Sequence, residues 1–380
     1  MRVGIDARYA FRQNRRGIGE YVAALLRHLP ENAGASDEFY LYLDAAADLR
    51  MISLARQPFV VRRIAVGNPL LWEEVSLPMA AAKDNLDLLH LTANYGPTFS
   101  PCPTVYTIHD VIEFIRPALG PMHLPFRHAV GRAVRIRTLP RQARKAQRVI
   151  TISEASRRDL VRILHVNSER ICIIPQGLSG DFHPPASAAD VRDALRQSGH
   201  AVPERYVLAL GALDPRKNGL FLMRSFAHIH DEFPDVELWI VGVERPDEYP
   251  LAFPSCPPWL KVLGFLERDT LLHFFQGASI FVYPSLYEGF GLPVLEAMAC
   301  GVPVVSSDRT SMPEILGQAG VLFDPSIEGD LAQSLRKLLS DVTLAQSCKK
   351  AARSQAAGFS WRTTVSKTFK VYRACVREAR

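Results

Sequence analysis

Two adjacent cations, Arg216 and Lys217, follow a predicted strand in the segment GALDPRKN (211–218). The chain turns through Asp214 and Pro215, and the helix predicted next offers free backbone N–H groups beside the cations. Such a pair binds a diphosphate well, because guanidinium and ammonium groups donate charge-assisted hydrogen bonds to phosphate oxygens. On these eight residues alone, a solvated basic turn is an equally good interpretation.

A second segment, YPSLYEGFGLPVLEAMACG (283–301), places two acids and two glycines around the start of a predicted helix. Gly289 and Gly291 have no side chain, so the backbone there can approach a ligand closely. Glu288 lies in the loop. Glu296 lies eight positions later in an apolar helix, where an acid is costly without a partner. For either acid alone, a structural hydrogen bond to backbone or to an arginine is the alternative interpretation.

The first half of the chain offers two further candidate sites after predicted strands. The RRGIGEYV segment places Gly17 and Gly19 after the first strand, and the TIHD segment places His109 and Asp110 after another. Ligands of doubly wound sheets bind beyond the carboxyl ends of the strands. A lone histidine there is usually a buried residue that caps a strand end. The acid beside it favours a functional role.

Two successive series of alternating strands and helices must position these candidates. Short apolar runs predict buried parallel strands. The first series lies at 1–7, 39–43, 61–66, 86–91, 104–110, 148–153 and 171–175. The second series lies at 205–213, 236–242, 259–265, 279–285, 302–307 and 320–324. Apolar spacing and the gaps between strands predict helices at 18–29, 218–230, 268–277 and 292–300.

This alternation predicts an α/β protein with two Rossmann-like doubly wound parallel-sheet domains facing across a cleft. The length of 380 residues suits two domains. A Pro/Ala/Ser stretch at 183–189 indicates a linker. We therefore expect domains at 1–182 and 183–359, and we expect a final helix at about 360–380 to pack back on the first domain.

Composition narrows the class of protein. Hydrophobic residues make up 48% of the chain, which indicates an ample globular core, yet no apolar run is long enough to span a bilayer. The N-terminal MRVGIDARY carries charge within a predicted strand, so we do not expect it to be a signal peptide. The six cysteines form no CxxC pair or Cys/His cluster, which favours reduced thiols in a cytoplasmic protein without a metal site.

The net charge of +6 suits an anionic partner. No acid occurs between Phe114 and Ser153, and the run 116–148 is strongly basic. Its cations are Arg116, Arg127, Arg132, Arg135, Arg137, Arg141, Arg144, Lys145 and Arg148. A solvated helix face is the usual reason for such a run. Because apolar residues alternate with the cations, we predict a surface for an anionic membrane or a lipid-diphosphate acceptor. The alternative of another class is a basic nucleic-acid-binding protein, but no RNP, KH or helix-turn-helix signature is present.

The two C-terminal segments together resemble the GT-B retaining glycosyltransferases of family 4. GALDPRKN and the YPSLYEGFGLPVLEAMACG run are similar to two blocks of that family, and Glu288 and Glu296 match its E-x7-E pattern. TISEASRRDL, IIPQGLSGDF and GFLERDTLLHFFQGA resemble further blocks, RRGIGEYV resembles the glycine loop, and TIHD resembles the His-Asp segment. The resemblance covers most of the chain and implies an acceptor-binding first domain and a second domain that binds a nucleotide-sugar.

The resemblance also implies a role for each residue. Catalysis is implied for His109, Arg216, Lys217 and Glu288. Donor binding is implied for Gly17, Gly19, Asp110, Arg216, Lys217, Leu266, Glu288, Gly289, Phe290, Gly291, Leu292 and Glu296. Within this set the Arg-Lys pair would stabilise the leaving diphosphate, Glu288 would hold sugar hydroxyls, and Glu296 would hold ribose hydroxyls. His109 would reach the donor sugar from the first domain.

The implied reaction is a retaining hexosyl transfer without a metal or other cofactor, since the two cations serve the diphosphate. The TIHDVIEFIRP and GALDPRKN variants resemble those of bacterial polysaccharide mannosyltransferases, which favours GDP-mannose as donor and a lipid-linked or polysaccharide acceptor. UDP-glucose and UDP-N-acetylglucosamine are the alternative donors. We expect a cytoplasmic protein, peripheral on the inner face of the membrane.

A NAD-dependent oxidoreductase is disfavoured because no GxGxxG follows the first strand.

Overall fold

The computed structural model describes residues 1–12, 15, 17–51, 59–115, 126–211, 214–243 and 257–379. These residues form two compact units. The first takes the described residues of Met1–Ile115, Pro121–Gly177 and Ser360–Arg380, and the second takes those of Leu178–Phe359. The domain limits expected from the sequence stay predictions.

The first unit is built on a seven-stranded sheet, and every strand pair in it is parallel. Its strands are β1 (Arg2–Asp6), β2 (Glu38–Asp44), β3 (Phe59–Ile64), β4 (Leu88–Leu91), β5 (Thr104–Thr107), β6 (Arg148–Thr151) and β7 (Ile171–Ile173). They lie in the order β3-β2-β1-β4-β5-β6-β7. The order therefore changes direction between β1 and β4.

The helices of the first unit are α1 (Ile18–His28), α2 (Pro69–Leu71), α3 (Leu77–Lys83), α4 (Ile112–Ile115), α5 (Phe126–Lys145), α6 (Glu154–Leu164) and α14 (Trp361–Ala379). A π-helical turn, Trp72–Ser76, joins α2 to α3. The last helix belongs to this unit although it ends the chain, and its Trp361, Phe369 and Tyr372 are buried in the same core as α1 and β1.

The second unit has a six-stranded parallel sheet in the order β10-β9-β8-β11-β12-β13. Its strands are β8 (Arg205–Leu210), β9 (Val236–Val241), β10 (Leu260–Val262), β11 (Ile280–Tyr283), β12 (Val304–Ser307) and β13 (Val321–Phe323). Its helices are α7 (Ala188–Gln197), α8 (Gly219–His230), α9 (Arg268–Gly277), α10 (Leu292–Ala299), α11 (Met312–Leu316), α12 (Asp330–Ser340) and α13 (Val342–Ala356). The strand order reverses between β8 and β11.

The strands form where the sequence places short apolar runs, because sheets covered by helices bury both faces. All four residues of β4, β11 and β12 are buried. The expected α/β class with two doubly wound parallel sheets is confirmed, and each predicted strand matches one of β1–β13. The predicted helices correspond to α1, α8, α9 and α10, and Gly301 follows α10 with a φ of 74°, as a helix C-terminus commonly requires.

Candidate functional site

The site predicted in the second half lies at the strand-order reversal of the second unit. Arg216 and Lys217 follow β8, and Glu288 follows β11, which pairs directly with β8. The carboxyl ends of parallel strands meet at one edge of a sheet, so residues 72 positions apart in the chain become neighbours. The Leu286 N–H donates to the Arg216 carbonyl at 2.8 Å and ties the two loops together.

The two cations lie on a short 3-10 turn, Pro215–Lys217, and not on the following helix. The Asp214 carboxylate accepts a hydrogen bond from the Arg216 N–H at 3.0 Å, which starts the turn. Asn218 then adopts a left-handed conformation with a φ of 56°, and α8 begins at Gly219. The sequence placed both cations at the start of the helix; the structure separates them from it by one left-handed residue.

Both cations contact the same oxygen of Glu288. Arg216 Nη1 lies 2.5 Å and Lys217 Nζ 2.7 Å from Glu288 Oε1, which also accepts the Tyr283 hydroxyl at 2.9 Å. Lys217 Nζ lies 4.3 Å from the centre of the Tyr283 ring. The exposed fractions of the three charged side chains are only 18%, 16% and 13% for Arg216, Lys217 and Glu288. The site is thus a compact, mostly buried ion-pair cluster.

Burial and charge act in opposite directions on this cluster. Burial would raise the pKa of Glu288, but Lys217 and Arg216 outweigh it and lower that pKa below its ordinary value. Burial lowers the pKa of Lys217, and Glu288 opposes that shift. Because the carboxylate is ionised at neutral pH, it acts as an internal counter-ion for both cations. An anionic ligand that offers more acceptor oxygens than one carboxylate can replace it there.

A neighbouring loop supports Glu288 through residues that the sequence did not single out. Thr310 Oγ1 accepts the Glu288 N–H at 3.1 Å, and Ser311 Oγ donates to the Glu288 and Phe290 carbonyls at 3.1 and 2.6 Å. Thr310 has a φ of 51°, an uncommon conformation for a β-branched residue and one found mostly where surrounding structure enforces it. In the sequence, Thr310 and Ser311 belong to a polar run directly after β12, the strand next to β11, and this run could have indicated them.

Gly291 is required by the geometry where the loop enters α10. Its φ is 122°, and an added Cβ would lie 2.5 Å from Met312 Cε. Phe290 is buried against Phe359, with ring centres 5.9 Å apart, whereas Gly289 is buried with an ordinary φ. Leu292 and Glu296 are half-buried on α10.

Glu296 therefore lies within the helix that starts at the site, while Leu266 is a half-buried residue after β10. β10 is two strands away from β8 in the sheet order. The donor-binding roles predicted for these residues stay predictions.

His109 lies after β5 in the first unit and is 4% exposed. Its Nε2 is 2.9 Å from the Thr92 carbonyl, and its Nδ1 is 3.2 Å from the Gln176 side-chain amide. Burial lowers the pKa of His109 from 6.5 to about 4, so the imidazole is neutral at physiological pH. Both ring nitrogens are engaged within the first unit, and its predicted contact with a donor sugar stays a prediction.

The other first-unit candidates have local structural roles. Gly17 precedes α1 with a φ of 37°, and a Cβ added to it would meet no described atom within 4 Å. Gly19 is constrained by the chain itself, because an added Cβ would lie 2.9 Å from the Tyr9 carbonyl. The Asp110 carboxylate accepts the Ile112 N–H at 3.1 Å, at the start of α4.

Within the described ranges, no group of three or more His, Cys, Asp or Glu residues is arranged to hold a metal ion. In the same residues no helix is long and apolar enough to cross a membrane.

Two family models match the chain in succession. A model of glycosyltransferase family 4 matches residues 15–181, and a model of glycosyl transferases group 1 matches residues 190–355. Together they cover most of the strands and helices of both units, from α1 to α13, but not β1 or α14. The chain belongs to the group 1, family 4 glycosyltransferases, as its motifs indicated, and it is a glycosyltransferase.

Curated relatives are about 27–30% identical to it over the aligned residues. The O-antigen chain mannosyltransferase B of Escherichia coli is 28% identical over 331 residues, which cover 84% of this chain and 81% of that protein. The serotype-specific mannosyltransferase WbdA of Escherichia coli is 30% identical over 227 residues, 58% of this chain but only 28% of the relative. This chain therefore matches a small part of that longer protein.

Solved structures share the fold at lower identity. The sucrose-phosphate synthase of Thermosynechococcus elongatus superposes with a TM-score of 0.73 at 20% identity, covering 98% of both chains. This likeness identifies the fold as GT-B.

Proposed function

We propose that the protein is a retaining, metal-independent mannosyltransferase that transfers mannose from GDP-mannose to a lipid-linked or polysaccharide acceptor. The observation that carries the proposal is the buried cluster of Arg216, Lys217 and Glu288 at the strand-order reversal of the second unit. The mannosyltransferases among its relatives support mannose as the sugar. The nucleic-acid-binding alternative is not favoured, since the family and the site both point to a small anionic donor.

The proposed roles follow from the chemistry of each group. Arg216 and Lys217 leave Glu288 and bind the diphosphate, whose charge grows as the glycosidic bond breaks. Glu288, released from the cations, accepts hydroxyls of the sugar, and backbone N–H groups of Gly289 to Gly291 surround the sugar and diphosphate. Glu296 accepts the ribose hydroxyls. His109, with Asp110, Gly17 and Gly19, contributes from the first unit, and Leu266 and Leu292 complete the donor contacts.

Retention is proposed to proceed on one face of the sugar. The diphosphate departs from C1, and its oxygen takes the proton of the acceptor hydroxyl that attacks C1 from the same side. No side chain acts as a covalent nucleophile in this route. Because Arg216 and Lys217 supply the positive charge, no divalent cation is required.

A ligand panel tests the donor assignment. Thermal shifts with GDP, UDP, ADP and their mannose, glucose and N-acetylglucosamine derivatives should show the largest stabilisation with GDP and GDP-mannose, unchanged by EDTA. A larger shift with uridine nucleotides would overturn the GDP assignment in favour of UDP-glucose or UDP-N-acetylglucosamine. Loss of binding in EDTA would overturn metal independence. Proton NMR of the product should show the α-anomer that GDP-α-mannose carries; a β-anomer contradicts retention.

We also propose a peripheral location on the cytoplasmic face of an anionic membrane. On α5, Arg137, Arg141, Arg144 and Lys145 are exposed, and the first three recur at helical spacing on one face. Three other cations of the basic run have partners within the unit: Arg132 pairs with Glu113, Arg148 pairs with Glu378, and Arg135 lies 4.3 Å from the Tyr95 ring centre. Arg116 and Arg127 have no described side chains.

The end of α5 also borders a groove of about 650 Å³ lined by Lys145, Arg148 and Arg170. Phe99, at its edge, is 73% exposed. Cations beside an exposed aromatic ring suit the interface of an anionic bilayer.

Vesicle sedimentation tests the membrane proposal. Vesicles with phosphatidylglycerol should bind the protein at low salt, and Arg141→Ala/Arg144→Ala should weaken binding, because each basic residue near an anionic surface contributes about 1 kcal/mol. The matched control is Arg158→Ala/Arg162→Ala, which removes two exposed arginines from α6. Equal binding by the two double variants, or no binding by the wild type, would remove the proposal.

A further inference from the structure

Three groups hold the His109 imidazole within the first unit. Nε2 lies 2.9 Å from the Thr92 carbonyl, which can only accept, so the ring proton lies on Nε2. Nδ1 then accepts from the Gln176 amide at 3.2 Å. The Tyr21 ring packs against the imidazole edge-on, with centres 4.9 Å apart and planes at 84°. These partners define one tautomer and one orientation.

A chain of buried hydrogen bonds runs from α14 to Tyr21. The Tyr372 hydroxyl is 2.5 Å from His90 Nδ1, His90 Nε2 is 2.7 Å from Thr107 Oγ1, and that oxygen is 3.0 Å from the Tyr21 hydroxyl. Burial keeps the pKa of His90 at about 3, so its neutral ring accepts at one nitrogen and donates at the other. Whichever nitrogen carries the proton, both ring nitrogens are engaged, so His90 links the Tyr372 hydroxyl to Thr107.

The first turn of α14 holds the other partner of His109. Thr364 Oγ1 donates to the Pro175 carbonyl at 2.7 Å, directly before Gln176. An added Cβ on Gly177, directly after Gln176, would lie 2.1 Å from the Trp361 backbone nitrogen. Gly177 therefore lies directly against the start of the helix backbone, with no room for a side chain between them.

We propose that α14 is the element that positions His109 for sugar transfer, and that Tyr372 and Gln176 are positioning residues of the enzyme. Neither side chain has to touch a substrate. Tyr372 acts through Tyr21, and Gln176 acts on Nδ1 directly, so the final helix controls two of the three groups around the imidazole. The inference rests on the proposed function, in which His109 contributes to transfer.

Tyr372→Phe tests the first link, because it removes one hydroxyl and keeps the buried ring. The matched control is Tyr42→Phe in the same unit, whose buried hydroxyl donates to Asp84 at 3.0 Å and has no part in the chain. We expect Tyr372→Phe to lower kcat on the order of tenfold with little change in the donor KM, since misplacing a reacting-site group costs turnover. A kcat that falls no further than in Tyr42→Phe would overturn the role of Tyr372.

Imidazole nitrogen NMR supplies a readout that does not depend on activity. The His109 signals, assigned by their loss in His109→Asn, should show the Nε2–H tautomer in the wild type and in Tyr42→Phe. They should shift in Tyr372→Phe and in Gln176→Leu. His109 signals that stay unchanged in both variants would overturn the positioning proposal.

The same spectra separate the two proposals. Shifted signals in a protein that neither binds nor turns over GDP-mannose would leave the positioning of His109 standing and remove the proposed function. Shifted signals with normal kcat would show that the orientation of His109 is irrelevant to transfer, which overturns the inference alone.

Discussion

Three charged side chains of the second unit form a site whose residues, but not whose pairing, could be predicted from the sequence. The residue types predicted a diphosphate site at Arg216 and Lys217, and the resemblance to the family, with its E-x7-E pattern, implied the role of Glu288 toward the sugar. The structure pairs both cations with the acid itself. That pairing could not be predicted from spacing, because it depends on β8 and β11 being neighbours in the sheet. The hydrogen bond from Glu288 to Thr310 could not be predicted either, because it depends on β12 being the neighbour of β11 in the sheet.

Removing the charge of Glu288 should separate binding from transfer. In Glu288→Gln the two cations lose their internal counter-ion, so we expect GDP to bind at least as tightly as to the wild type. Transfer from GDP-mannose should fall about a hundredfold, because a carboxylate placed on the sugar is lost. Isothermal titration with GDP and initial rates with GDP-mannose measure the two effects.

The matched control is Glu232→Gln, which breaks a carboxylate–arginine pair with Arg336 on the surface of the same unit. It should change neither quantity. GDP affinity that falls in Glu288→Gln in proportion to the rate would contradict the counter-ion role.

The start of helix α10 depends on the backbone conformation and the packing of one glycine. Gly291 precedes the helix with a φ of 122°, and Met312 of α11 packs where a side chain would stand. Sequence reasoning placed both loop glycines beside a ligand. In the structure the fold itself requires Gly291, because its backbone φ is positive and Met312 packs where a side chain would lie. A sequence cannot show that second contact, because α11 lies about twenty residues away along the chain.

Gly291→Ala should lower the free energy of unfolding of the second unit more than Gly329→Ala does. Gly329 also precedes a helix with positive φ, 83°, but no atom lies within 4 Å of its added Cβ. Both variants place a side chain at positive φ, which costs on the order of 1–3 kcal/mol, but the φ of Gly291 lies much further from the left-handed helical region than that of Gly329. The flexible end of Met312 must also move in Gly291→Ala. On urea unfolding we expect Gly291→Ala to lose about 1 kcal/mol more than Gly329→Ala. Equal losses would show that neither the wider φ nor the Met312 contact adds a cost.

At the scale of the whole molecule, the alternation of apolar runs was sufficient to predict thirteen strands and two parallel sheets. Most observed strands are shorter than predicted, although β2 is longer; β5 ends at Thr107, whereas the apolar run continues through Ile108. Ile108 is buried although it lies after the strand, and an apolar residue there prolongs the strand pattern in the sequence. The buried polar chain of the first unit was not predicted, because it joins residues 282 positions apart.

Acid should destabilise the first unit through two buried histidines. Burial holds the pKa of His109 at about 4 and, aided by His109, that of His90 at about 3, below the ordinary value of 6.5. Below pH 6.5 the unfolded chain binds protons that the native state does not, so the free energy of unfolding falls as pH falls. Each histidine should cost about 2 kcal/mol between about pH 7.5 and about pH 5.

Urea unfolding at those two pH values measures this loss. His90→Gln should reduce the pH dependence, whereas His183→Asn, at an exposed histidine, should leave it as in the wild type. A free energy of unfolding that is equal at both pH values would contradict the burial of neutral histidines.

The proposed binding of the donor diphosphate by Arg216 and Lys217 is measured by the affinity of Lys217→Ala for GDP. Fold should be retained, because Arg216 still pairs with the buried Glu288. Loss of one charged hydrogen-bond donor, worth about 1.5–3 kcal/mol, should raise the Kd for GDP by roughly 10- to 100-fold. Lys261→Ala, at an exposed lysine of the same unit, should bind GDP like the wild type. Wild-type affinity in Lys217→Ala would show that Lys217 does not bind the diphosphate.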